Sequence, residues 1–354
     1  MSSITITSTS SPAAAAAAGD KQQQQQQHAS RLTTPSKALP PNTTRALLHF
    51  AVPPCRLGHD PARYLDPEVG PSWPLEAHDV GLYDLRSELD GCSSSSSSSS
   101  SSSVPTKTVM EQLETRGFGA LRHKSGALGS LAEQDVWNAA YLEETKDLIK
   151  THLGATDVFI WNSVTRSSSP STHTPYTPST SANFQTTAIK GLQFGTATVR
   201  PTASGAHVDQ DAPNSRRMCR GAAGGDCFER YRRVQQINLW RPLRGPVREK
   251  PLAVCDGGSV RAESKGIHCG LFGTRVTLHH DDSQKWYYIK HQQPDECLLL
   301  KIYDSAAELG GHAAEYAPHT GVDDLYGADD DLENPATEKE ARESIEVRIV
   351  ACYA

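Results

Sequence analysis

RESIEVRIVACY, residues 342–353, alternates in a regular way: Arg342, Ser344, Glu346 and Arg348 fall on one side, and Ile345, Val347, Ile349 and Ala351 on the other. A period of two is that of a β-strand with unlike faces. In the plainer arrangement the apolar side packs on the core and the charged side meets solvent. In the other, the charged side turns inward to a polar interior. Arg342 and Ser344 then form an R-x-S pair suited to a dicarboxylate, because a guanidinium fork matches a carboxylate bidentately and a hydroxyl adds one donor.

Working outward, short runs rich in β-branched and aromatic residues recur at Val158 to Trp161, Ile237 to Trp240 and Cys297 to Tyr303, separated by Gly, Pro and Asp clusters. These read as strands. One helix is evident. Ser130 and Glu133 make a capping box ahead of Leu131, Val136, Ala140, Leu148, Ile149 and Leu153 at near-helical spacing, and Gly154 ends it. The pattern gives a mainly β barrel with a few packing helices; if that barrel is a double-stranded β-helix (jelly-roll) core, its apolar strand faces can lie against those helices while the interior is partly polar.

The chain has 354 residues, against a prior of roughly 150 per domain. Residues 1–43 hold an alanine run (Ala13 to Ala18), a glutamine run (Gln22 to Gln27) and a Ser/Thr/Pro stretch, none with periodic apolar content, so a low-complexity disordered tail is expected there. The serine run Ser93 to Ser103 reads as a loop expansion inside one domain, residues 44–354, and Ser167 to Ser181 as a further loop. A formal net charge of −6 with interspersed signs offers no cationic face for nucleic acid or anionic lipid. No apolar run approaches the roughly 20 residues that span a bilayer, and MSSITITSTSSP lacks a signal pattern, so a cytoplasmic protein is expected. The eight cysteines form no C-x-x-C pair, which argues against a zinc or iron–sulfur cage.

PTASGAHVDQD, residues 201–211, contains the tripeptide His207-Val208-Asp209. At a strand end the period of two puts His207 and Asp209 on one face, where imidazole and carboxylate supply two thirds of the 2-His-1-carboxylate facial triad. H-x-D also arises often by chance. A third ligand must come from downstream, where His268, His279, His280, His291, His312 and His319 stand. His319, the last histidine before Arg342, is selected by position. His279, in the apolar stretch GLFGTRVTLHH, is its main competitor, and His280 beside it stays open. Arg241 in QINLWRPLRGP and Arg166 in IWNSVTR stand beside apolar residues and are candidate partners of an anionic substrate group, with Trp240 as pocket wall; either arginine would equally serve to brace loops.

Several blocks together carry a resemblance: TRGFGAL, GATDVFIWNSVTR, AHVDQDAP, RVQQINLWRPLRGPVREKPLAVCD, QKWYYIKHQQPDECLLLKIYDS, APHTG and RESIEVR. From roughly Ala46 to the end, serine inserts aside, the chain resembles the fungal and bacterial hydroxylase/desaturase family of the aspergillic acid pathway type, with gibberellin desaturase and the cephamycin methoxylation J component among its members. That resemblance implies iron(II) held by His207, Asp209 and His319, 2-oxoglutarate held by Arg342 and Ser344, molecular oxygen, and hydroxylation, desaturation or ring closure of a small molecule in secondary metabolism. The chain departs from the family pattern at PHTGVDD, where an aromatic or bulky residue is expected after the histidine, and in the acidic stretch Asp323 to Glu340 that lengthens the gap to Arg342. Two other expectations compete: an iron oxidase that uses Arg342 for a substrate carboxylate rather than 2-oxoglutarate, and a non-catalytic accessory or binding protein of a biosynthetic complex. Substrate and oligomeric state are not legible.

Overall fold

A computed structural model of the chain describes residues 40–41, 43–61, 73–91, 108–128, 139–173, 199–270, 273–311, 313–326 and 340–354. The expected tail up to residue 39, the serine run, the Ser130–Glu133 capping box, His312 and most of the Ser/Thr/Pro loop lie outside these residues.

The strands are β1 (Thr43–Ala51), β2 (Leu75–Asp84), β3 (Phe118–Arg122), β4 (Asp157–Ser167), β5 (Val199–Pro201), β6 (His207–Val208), β7 (Arg233–Pro242) and β8 (Leu252–Cys255). They continue with β9 (Lys265–Gly270), β10 (Gly273–Leu278), β11 (Trp286–Tyr288), β12 (Glu296–Asp304), β13 (His319–Gly321), β14 (Asp324–Tyr326) and β15 (Glu343–Tyr353). Among the described residues they form a nine-stranded sheet in the order β14-β1-β2-β11-β8-β13-β6-β10-β9 and a six-stranded sheet in the order β3-β12-β7-β15-β4-β5. Neighbours far apart in sequence are the mark of a jelly roll, and all four predicted strand runs fall within β4, β7, β12 and β15.

β15 lies inside the six-stranded sheet, paired antiparallel with β7 and β4, so all of its residues from Glu343 to Tyr353 are buried. Its apolar side, Ile345, Val347, Ile349 and Ala351, joins Ile237 and Leu239 of β7 and Leu299 of β12 in a cluster that also takes Val109 and Leu113 from helix α1 (Val109–Arg116) and Tyr141, Leu148, Ile149 and Leu153 from helix α2 (Ala139–Leu153). Each such fully buried Leu, Ile or Val contributes about 1.5–3 kcal/mol. The helices therefore cover the outer face, and the polar row of β15 is left to face inward.

α1 starts on Thr108, whose side chain accepts from the Glu111 amide while Glu111 reaches back to the Thr108 amide. It stops at Gly117, at φ +85°, where a Cβ would stand 2.4 Å from the Tyr316 carbonyl oxygen; only glycine fits there. α2 ends before Gly154 as the sequence predicts, with that glycine at φ +68°. A third helix, α3 (Ala212–Ala223), begins directly after the H-x-D stretch, capped by Asp211, whose carboxylate accepts from the Asn214 amide at 3.0 Å. The second aspartate of HVDQD is thus occupied by the helix start.

Candidate metal centre

His207 on β6 and His319 on β13 are direct partners in the nine-stranded sheet, so both imidazoles leave the same face, with ring centroids 4.7 Å apart. Asp209, two residues past His207, returns to that face. One ligand atom from each of His207, Asp209 and His319 lies within 4.8 Å of the others. Among the described histidine candidates it is His319 that is brought to the H-x-D pair.

The tautomers suit a cation. His207 Nδ1 lies 2.8 Å from the Gly205 carbonyl and His319 Nδ1 3.2 Å from the Ala317 carbonyl. A carbonyl only accepts, so each Nδ1 carries the hydrogen and each Nε2 keeps its lone pair, the arrangement in which metal-binding histidines are held. Burial, with His207 adding to it, pushes His319 down from the ordinary histidine range against Asp209 and Glu346. Burial pushes Asp209 up, but Arg348 and the two histidines outweigh it and hold the carboxyl well below the usual range. A carboxylate beside two imidazole nitrogens is a site for a borderline divalent cation such as iron(II).

The same pocket is lined by Arg342, Arg166, Trp240 and Glu346. Arg342 is 3 % exposed; its Nη1 donates to the Lys250 carbonyl at 2.7 Å and its guanidinium carbon stands 5.6 Å from the Trp240 ring centre. Its Nε has no hydrogen-bond partner, nor has the buried Oγ of Ser344, two residues on along the same strand face. Burial, with Arg166 beside it, pushes Arg342 down to about 9, against Glu249 and Glu346. A guanidinium stays protonated in proteins, so this desolvation appears as an unmet demand for an anion. Arg166 is half-buried and its Nη1 donates to the Pro201 carbonyl at 2.9 Å.

Arg241 is corrected. It follows Trp240 by one residue, so the pleat sends it to the helix-covered face, where it donates to the His123 carbonyl at 3.2 Å and stands 5.4 Å from the Tyr141 ring centre. It braces two elements and does not reach the pocket. His279 is also removed from the ligand cluster: its Nδ1 donates to the Ala51 carbonyl at 2.7 Å. His280 stacks on His78, ring centroids 4.0 Å apart.

Three site residues escaped the sequence reading. Arg348 Nη2 stands 3.2 Å from Asp209 Oδ2, Asn238 Nδ2 donates to the same oxygen at 2.7 Å, and Glu346 accepts from Arg348 Nε at 2.9 Å. The signals were present: Glu346 and Arg348 share the Arg342 face by period two, and Asn238 shares the Trp240 face.

The model of the family described as "Oxidoreductase/YMDC permease-like domain" (YDMC) matches residues 101–352. The chain belongs to that family. As for the family's permease-like wording, no helix among the described residues is long and apolar enough to cross a membrane. This YDMC-family chain is 38 % identical to "Aspirochlorine biosynthesis protein N" of Aspergillus oryzae over 131 residues, 34 % of this chain and 49 % of that protein. It is 30 % identical to "Hydroxylase/desaturase efuI" of Hormonema carpetanum over 235 residues, 60 % of this chain and 70 % of that one. The chain spans about half the length of the first curated relatives it matches. Among solved structures it is similar to "iron and alpha-ketoglutarate-dependent endoperoxidase NvfI", with a TM-score of 0.61 at 20 % identity, covering 88 % of this chain and 98 % of that one. The predicted jelly-roll fold is borne out by that likeness together with the two sheets.

Proposed function

We propose that this YDMC-family chain is an iron(II)- and 2-oxoglutarate-dependent oxygenase that hydroxylates or desaturates a small molecule of secondary metabolism in the cytoplasm, with residues 44–354 as its catalytic domain. The observation that carries it is the buried convergence of His207, Asp209 and His319 in one pocket with Arg342. Relatives are named hydroxylase/desaturase, "Fe(II)/2-oxoglutarate-dependent dioxygenase nvfI" (Aspergillus novofumigatus) and "Gibberellin cluster GA4 desaturase" (Gibberella fujikuroi), which supports the same reading.

His207 and His319 would hold the iron through Nε2 and Asp209 through a carboxylate oxygen. The two orphaned polar atoms, Arg342 Nε and Ser344 Oγ, fit the far carboxylate of 2-oxoglutarate: one is a cationic donor, the other a neutral one, and both are buried without partners. When bound, iron(II) with 2-oxoglutarate supplies the oxidation of an unactivated C–H bond by oxygen, with loss of carbon dioxide and release of succinate. The residues of this chain bind, orient and exclude water. Trp240 stacks beside Arg342 and closes one wall, and the inward rows of β7 and β15 keep the pocket away from solvent. Arg166, at the pocket edge, is placed to meet an anionic substrate group.

The test is made on purified full chain. Iron(II) and then 2-oxoglutarate are added without oxygen, and succinate is measured after oxygen is admitted. Stoichiometric iron binding, a saturable 2-oxoglutarate titration and succinate release are expected. Iron binding without succinate would leave the oxidase that uses Arg342 for its substrate; no iron binding would leave the non-catalytic protein.

A further inference from the structure

Asp209 has two carboxylate oxygens, and the protein treats them differently. Oδ2 accepts from Asn238 Nδ2 at 2.7 Å and lies 3.2 Å from Arg348 Nη2, while Oδ1 faces His207 Nε2 at 3.5 Å. Oδ2 is thus engaged by one hydrogen bond and one ion pair, and Oδ1 is the more open oxygen. Asn238 and Arg348 are direct partners across β7 and β15, which delivers the amide and the guanidinium to one point from two strands of the opposite sheet. Neither can easily drift. Arg348 is held by Glu346 through Nε and has the Trp161 ring centre 5.6 Å from its guanidinium carbon. Asn238 is fully buried, and the opposite amide orientation would set its oxygen against the carboxylate.

We infer that Asn238 and Arg348 are positioning residues that restrict Asp209 to one-oxygen coordination. This inference rests on the proposed iron site. Its consequence is a count: two imidazoles and one carboxylate oxygen leave three of six octahedral positions, enough for a chelating keto acid and oxygen together. A two-oxygen Asp209 would leave two, and the keto acid would fill them.

The test uses full-length protein loaded with manganese(II) alone, reading the number of exchangeable metal-bound waters by water-proton relaxation. Wild type should show about three, and Asn238→Ala and Arg348→Met about two, a loss of about one third, because Asp209 Oδ2 is freed to join the metal. Manganese affinity should be unchanged or several-fold tighter. Arg348→Lys, which retains a donor, should return most of the lost water. Three waters in both variants would overturn the inference, and so would loss of manganese from both, which is the mark of a merely structural role. Asn238→Ala removes no charge and serves if Arg348→Met fails to fold. The 2-oxoglutarate titration of the iron-loaded wild type, run separately, keeps the two questions apart: a wild type with three waters that never binds 2-oxoglutarate would refute the proposed function and leave the positioning roles standing.

Discussion

Two pairs of buried histidines share one face of the nine-stranded sheet, and they behave in opposite ways. His207 and His319 stand beside Asp209, which is backed by Arg348 and Asn238. His279, just past the end of β10, and His268, on β9, stand one and two strands from β6, and their Nε2 atoms meet over Gly266: a Cβ there would lie 3.2 Å from the first and 3.3 Å from the second. Thr277 links the two groups, opposite His207 in the register and 2.7 Å from His268 Nδ1. Among the described residues no carboxylate pairs with His268 or His279; Arg275 is opposite His268 instead. The difference teaches that buried imidazoles alone do not make a cation site. The buried anion does, and that anion is stable only because two donors on the opposite sheet support it.

The comparison breaks most sharply at the ligands. His207→Ala, Asp209→Ala and His319→Ala should each abolish iron binding and turnover with the fold intact by circular dichroism, whereas His279→Ala should keep iron and lose about 1–2 kcal/mol of stability with its buried bond to Ala51. Iron lost from the His279 variant and kept by the His319 variant would reverse the assignment of the two pairs.

Next in size is the anion demand of the pocket. Arg342→Ala should weaken 2-oxoglutarate binding by about a hundredfold or more, from roughly 2–5 kcal/mol for truncating one partner of a buried charged contact, with iron affinity nearly unchanged. Arg342→Lys should recover only part of this, lacking the planar fork. Arg241→Ala, on the other face of the same sheet, should lower thermal stability and leave the titration alone. Equal 2-oxoglutarate affinities in wild type and Arg342→Ala would remove the cosubstrate role.

The smallest effect sharpens the contrast from the second pair. Burial, His279 and Arg275 push His268 from 6.5 down to about 4. Below 6.5 the unfolded chain takes up a proton that the folded chain refuses until about 4, so stability is full above 6.5 and falls as the pH drops through that window. Urea unfolding of His268→Gln should show an acid limb shallower by about 3 kcal/mol at pH 4. An unchanged limb would mean that His268 is accessible to protons in the fold.

How far the sequence reached depended on the range of the interaction. The two-faced β15, the strands around Trp161, Trp240 and Leu299, the end of α2 at Gly154 and the H-x-D pair were all legible, because each depends on residues within a few positions of one another. The resemblance extended this to the fold class and to His319. Which way the charged side of β15 faces was decided only by tertiary structure: it turns inward because α1 and α2 offer a larger apolar surface to Ile345, Val347 and Ile349 on the other side. The same holds for Arg241, which one step of the pleat carries away from the pocket, and for Arg348 and Asn238, whose roles exist only where the two sheets face each other. Local periodicity fixes the face a residue shares with its neighbours, but the partner of that face comes from strands dozens of residues away, and a buried charge is stable only where such a partner arrives.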